Sequence, residues 1–164
     1  MQEEQAIQTE LVTKFHYLAG KMRIQHKRRV YADVAIEHFA EIFDWAVKHM
    51  GFEMLSAITG LDLGDKLGVI YHLARESGVA LSISTAVAKD NPAVKTVTDY
   101  FPAAEVYERE LIDLLGFKVE GLGKGHRYPL PDDWPDGQFP LRKDWKPASS
   151  GGKAPTQTNE VKNA

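Results

Sequence analysis

The stretch Lys66-Leu67-Gly68-Val69-Ile70-Tyr71-His72-Leu73-Ala74-Arg75-Glu76-Ser77-Gly78-Val79-Ala80-Leu81-Ser82-Ile83-Ser84-Thr85 decides the fold class. Leu67, Val69, Tyr71 and Leu73 recur at every second position, and Val79, Leu81 and Ile83 do so again beyond Glu76-Ser77-Gly78. Strand side chains alternate between two faces, so each run reads as a strand with one buried face, and the short link between them suits a hairpin. Working outward, residues 52–60 read as another strand, ending in the turn-like Gly60-Leu61-Asp62-Leu63-Gly64, and residues 22–30 as a fourth, basic one. Residues 2–19 carry Ile7, Leu11, Phe15 and Leu18 at helical steps before Gly20. Asp33 suits an N-cap for a helix lined by Ile36, Phe39, Ala40, Phe43, Val47 and Met50 and closed by Gly51. Pro102 opens a last helix through about Leu115, with Gly116 at its C-cap. The expected fold is α/β (α+β): a small mixed or antiparallel four-stranded sheet with packed helices, over residues 1–115.

Beyond Gly116 the character changes. Six of the eight prolines and two of the three tryptophans, Trp134 and Trp145, lie there, without helical or strand periodicity. Residues 148–164 are polar and glycine-rich and read as a disordered tail. Residues 116–147 are too rich in Leu, Trp, Tyr and Phe for a solvated tail. Ordering them costs about 1–2 kcal/mol per residue in backbone entropy. A small sheet offers little surface against that cost, so the segment reads as a long extended C-terminal arm that docks on another protein.

Composition excludes several functions. The chain of 164 residues has no cysteine, whereas iron–sulfur and nickel–iron centres are held chiefly by thiolates. A disulfide, a Cys-based zinc site and a cysteine nucleophile are excluded too. No apolar run approaches the roughly 18–20 residues that span a bilayer, and the start Met1-Gln2-Glu3-Glu4-Gln5 is the opposite of a secretory n-region. We therefore expect a cytoplasmic protein that reaches a membrane only through other subunits.

The helix carries Glu108-Arg109-Glu110-Leu111-Ile112-Asp113-Leu114-Leu115-Gly116; then come Leu130-Pro131-Asp132-Asp133-Trp134-Pro135 and Pro140-Leu141-Arg142-Lys143-Asp144-Trp145. In this order and spacing they resemble the 30 kDa subunit family of respiratory NADH dehydrogenase (complex I). That family has an E-R-E-x-x-D helix ending in glycine, an L-L-P-D-D-W-like stretch and a terminal P-L-R-K-D-[YFW]. Leu122 departs from it, standing where the family usually has histidine, while Arg127 matches a basic position. The short chain looks more like the relatives in membrane-bound [NiFe] hydrogenases and kindred ferredoxin-linked complexes. The resemblance implies a structural subunit of a peripheral arm, without cofactor or active site of its own. Its partners would be the hydrogenase-type (49 kDa-like) large subunit and the small iron–sulfur subunits, which hold the iron–sulfur clusters and, in the hydrogenase branch, a nickel–iron centre. A subunit of a true NADH/quinone complex I is the alternative.

Glu108, Arg109, Glu110, Asp113, Arg127, Asp132, Asp133, Trp134, Leu141, Arg142, Lys143, Asp144 and Trp145 are the expected partner-binding residues. Spacing alone makes Glu105–Arg109 and Arg109–Asp113 ordinary i,i+4 pairs on a solvated face; the motif context favours an inter-subunit ion network. Trp and Arg dominate interface hot spots, though both tryptophans could also fold back on their own sheet. Gly121-Leu122-Gly123-Lys124-Gly125 lacks phosphate-loop spacing and reads as a flexible link. His126 with Asp132 and Asp133 could be drawn as a metal or acid–base site, but the intervening prolines leave it unorganised. The basic run Lys21, Arg23, His26, Lys27, Arg28 and Arg29 is the case for a small RNA-binding module, a function of a different class. The stacking aromatics such modules need are missing and the net charge is −3, so no nucleic-acid partner is expected.

Overall fold

A computed structural model describes residues 2–147; the expected disordered tail lies outside them. Helix α1 (Gln2–Lys14) and a short turn precede strands β1 (Met22–His26) and β2 (Arg29–Asp33), helix α2 (Ile36–His49), and strands β3 (Met54–Asp62), β4 (Lys66–Ala74) and β5 (Ala80–Ala88). Then come β6 (Ala93–Lys95), helix α3 (Ala104–Glu110), which runs on as a π-helical turn over Leu111–Leu115, and β7 (Lys118–Glu120). The main sheet has the order β1-β2-β5-β4-β3, with β2 and β5 parallel and the other neighbours antiparallel. The mixed α+β sheet is as expected, but it has five strands rather than four.

The hairpin that anchors the fold is where its alternation puts it. Leu67, Val69, Tyr71, Leu73, Leu81 and Ile83 are fully buried on one face, and β4 pairs with β5 from Lys66↔Ala88 to Ala74↔Ala80. Helix α2 covers that face with Phe39, Ile42, Phe43 and Ala46, and Phe39 and Phe43 pack on Tyr71 at 4.6 and 5.6 Å between ring centroids. Each such burial stabilises by about 1.5–3 kcal/mol.

Five details differ from the sequence reading. Residues 22–30 are not one strand but β1, a turn and the start of β2 in a hairpin, because the chain reverses at Lys27-Arg28, where Arg28 takes φ 64° and donates its N–H to Glu4. Asp33 does not cap α2: it is still in β2, paired with Ser84 and gripped by Arg23 at 2.6 Å, and the helix starts at Ile36. Its buried face includes Ile42 and Ala46, whereas Ile36 and Ala40 are exposed. Gly60-Leu61-Asp62 belongs to β3 and the turn follows it. The packed part also runs past Leu115: Phe117 is 3% exposed and β7 pairs with β6.

Candidate subunit interface

Helix α3 brings the first motif together, and its side chains divide into an inner and an outer set. Glu108 is the inner one. It has no exposed surface, accepting from the Val97 amide at 2.7 Å and the Thr96 hydroxyl at 2.6 Å. Burial pushes its carboxyl above the ordinary value, against the pull of those two hydrogen bonds. Glu108 thus braces the loop between β6 and α3 from within the chain, while Glu110 is half-buried.

Arg109 lies outside, its Nε and Nη2 donating to Glu105 at 3.0 and 2.7 Å and Nη2 also to the Gly123 carbonyl. Gly125 lies so close that a Cβ there would sit 2.0 Å from Nη2. The link thus touches the Arg109 guanidinium at the Gly123 carbonyl and at Gly125, and it is Gly125, without a Cβ, that lets the backbone come so near. The expected Arg109–Asp113 pair is not made. Asp113 is buried and pairs instead with Arg127 at 3.3 Å, because the helix widens into its π-turn just where Asp113 sits. Arg127 then donates to the Trp134 carbonyl at 2.6 Å, joining helix to arm.

The arm folds back on the end of the helix. A helix leaves its last carbonyls without partners, and here the arm supplies two: Leu141 N–H donates to Leu114 O at 3.1 Å and Arg142 Nε to Leu115 O at 2.7 Å. Arg142 also lies over the Phe139 ring, 4.5 Å from its centroid. Gly116 is required beneath them: its φ is +74°, and a Cβ would stand 2.6 Å from Phe139.

Asp62 locks the next residues. Its side chain is 2% exposed and accepts from Lys89 Nζ, the Gly64 amide and the Lys143 amide, each at 2.8 Å. The Lys89 ammonium, then the two amides, hold its carboxyl well below the usual carboxylate range. Asp144 shares Lys89 at 3.0 Å and is lowered by the same cation. Asp62 and Lys89 were missed by the sequence reading. Asp62 stood in what looked like a turn, and its partners lie 27 and 81 positions away.

Trp134 and Trp145 meet, with ring centroids 6.2 Å apart. Both indole N–H groups donate to Gln138, one to its carbonyl and one to its side chain, each at 2.9 Å. The two rings are half-buried and form a pair on the arm rather than resting on the sheet. Asp132, Asp133, Lys143 and Leu141 are exposed, Leu141 at 57%. Among the described residues no three His, Cys, Asp or Glu side chains converge as a metal site requires, and no helix is long and apolar enough to cross a membrane.

The family described as respiratory-chain NADH dehydrogenase, 30 Kd subunit, matches residues 32–150. The membrane-bound hydrogenase subunit beta of Pyrococcus furiosus is 33% identical over 126 residues, covering 73% of this chain and 72% of that one. A subunit of the NADH-quinone oxidoreductase of Moorella thermoacetica is 34% identical over 106 residues, covering 63% and 70%. Among solved structures, a chain of the membrane-bound sulfane sulfur reductase, an archaeal respiratory membrane complex, superposes with a TM-score of 0.77. It is 28% identical, over 88% of this chain and 86% of that one.

Proposed function

The chain belongs to the respiratory-chain NADH dehydrogenase 30 kDa subunit family, and from that premise we propose that it is a cofactor-free structural subunit in the peripheral arm of a membrane-bound, ion-translocating redox complex. The hydrogenase or related ferredoxin-dependent type fits best, in keeping with the similarity to the Pyrococcus subunit; the similarity to the Moorella subunit keeps an NADH/quinone complex I as the second reading. Its task is to hold the catalytic large subunit and the iron–sulfur subunits in register, on the cytoplasmic side and joined to the membrane only through other subunits. Electron carriers then belong to those partners, in keeping with a chain that has no thiolate to offer.

One observation carries the proposal: the three motifs, far apart in sequence, are tied together at the end of helix α3, through Asp113, Arg127 and Trp134 and through Leu115 and Arg142. Helix α3 exposes Glu105 there, beside the half-buried Glu110 and the largely covered Arg109, and the arm, clamped through Arg127, Arg142 and Asp62, exposes Asp132, Asp133, Leu141 and Lys143 beside the half-buried Trp134 and Trp145. Glu108 and Asp113 act from inside, keeping that surface in shape. A tagged chain recovered from its native host tests the role. It should bring down a large subunit and iron–sulfur subunits, while the chain produced alone carries no stoichiometric iron, nickel or flavin. Recovery of the chain unaccompanied, or with its own iron or a flavin absorbance, contradicts the proposal.

A further inference from the structure

Trp145 is a wall between two cavities of unlike character. On one side is a space of about 540 Å3 lined by Trp134, Pro135, Gln138, Trp145, Lys146 and Pro147. Both indole N–H groups are already held by Gln138, so this side offers ring faces and proline rings rather than directional donors, with Lys146 the one charge among the described lining residues. Such a lining takes an apolar side chain or a proline, as aromatic grooves take extended proline-bearing segments. On the other side is a space of about 250 Å3 in which Arg142, Asp144 and Lys146 meet Gln138 and Phe139. Asp144 shares Lys89 with Asp62, so it offsets no more than one of the two cations here and the balance stays positive. Arg142 uses Nε on Leu115 and its face on Phe139, and Lys146 has no acidic partner among the described residues. The second cavity is therefore cationic and complements a carboxylate.

Granted that the arm is a docking element, we infer that its terminal motif reads an extended acidic segment of a partner protein: an apolar or proline residue sits between the tryptophans, and a neighbouring Asp or Glu carboxylate sits in the Arg142–Lys146 cavity. The slot is ready before the partner arrives. Gln138 fixes both rings and Asp62 fixes the chain at Lys143, so little side-chain ordering remains for binding.

The test uses full-length tagged chain and the partners it retains in host extract, with a chain cut after Glu120 as control. Lys146 is exposed, so its replacement should leave the fold and melting temperature unchanged. Lys146→Glu should reduce retention by about tenfold, because like charges now oppose across the contact, with partial relief at high salt; Lys146→Arg should bind normally. Trp145→Ala should lose retention at all salt concentrations. Retention unchanged or raised in Lys146→Glu overturns the acidic occupant. Retention unchanged in Trp145→Ala overturns the slot, even where the cut chain fails to assemble. If the cut chain itself assembles normally, the docking-arm reading fails first, and this result is distinct from the other two.

Discussion

Replacing Glu108 tests the inner half of the interface directly. Glu108→Ala removes the acceptor of the Val97 amide at a position with no exposed surface. An unsatisfied buried amide costs about 1–3 kcal/mol, and the lost side-chain packing adds about 1 kcal/mol, giving a destabilisation of about 2–4 kcal/mol in urea unfolding. Glu108→Gln keeps the shape. Its amide oxygen accepts from Val97, and its NH2 group donates to Thr96, whose own hydrogen turns to Thr98 Oγ1 at 2.8 Å. The sign of the pH effect follows from the raised carboxyl value. The native state holds this proton more tightly than the unfolded chain, whose glutamate titrates near about 4.3. The contribution of Glu108 is therefore fully present below that value and is lost as pH rises through the raised native value. The difference between wild type and Glu108→Gln should shift in favour of the glutamine chain from pH 4 to pH 8. A difference that is flat, or that shifts the other way, refutes the account of Glu108 as a desolvated brace.

Asp62→Asn should release the arm: amide protection at Lys143 should fall in hydrogen exchange while protection in β4 and β5 stays. Because the Asp62 carboxyl is lowered, its hold on the arm is present above the unfolded value of about 3.9 and is lost only as pH falls through the lower native value; protection at Lys143 should thus be the same at pH 5 and pH 7. Gly116→Ala should cost about 1–3 kcal/mol in thermal or urea unfolding, since it combines a left-handed backbone with displacement of Phe139. The exposed basic hairpin at Lys21–Arg29 should show no sub-micromolar, salt-steep binding to RNA at physiological ionic strength; finding it would favour the RNA-binding alternative.

How much was legible depended on how local each signal was. The alternation of Leu67 to Leu73 and of Val79 to Ile83 is set by strand geometry alone and reads correctly. The Lys27-Arg28 reversal carries neither glycine nor asparagine, so no turn signal separates β1 from β2. Asp33 looked like a cap because a helix follows closely, but its parallel pairing with Ser84 in β5 is a contact 51 positions away in the chain. The motifs of the candidate interface were readable as motifs. Their arrangement was not: Asp62 with Lys143, Arg142 with Leu115, and Arg127 between Asp113 and Trp134 join segments that no periodicity connects. Residues 121–147 likewise seemed to lack local partners, because their partners are helix carbonyls and the two buried carboxylates of Asp62 and Asp113 rather than an apolar face.

The arm's role in assembly is the central claim, and one comparison tests it. Because Phe117 is in the core and β7 ends at Glu120, a chain cut after Glu120 keeps every strand and helix α3, losing with the arm the Arg127 partner of Asp113 and the two caps on the last helix carbonyls. Its circular dichroism and unfolding transition should report a folded domain. In host extract, where the full-length chain retains the large subunit and the iron–sulfur subunits, the cut chain should retain them at least tenfold less well, in keeping with loss of anchoring tryptophans worth about 2 kcal/mol or more each. Equal retention by a folded, cut chain would contradict the account and place the binding surface on the sheet domain alone.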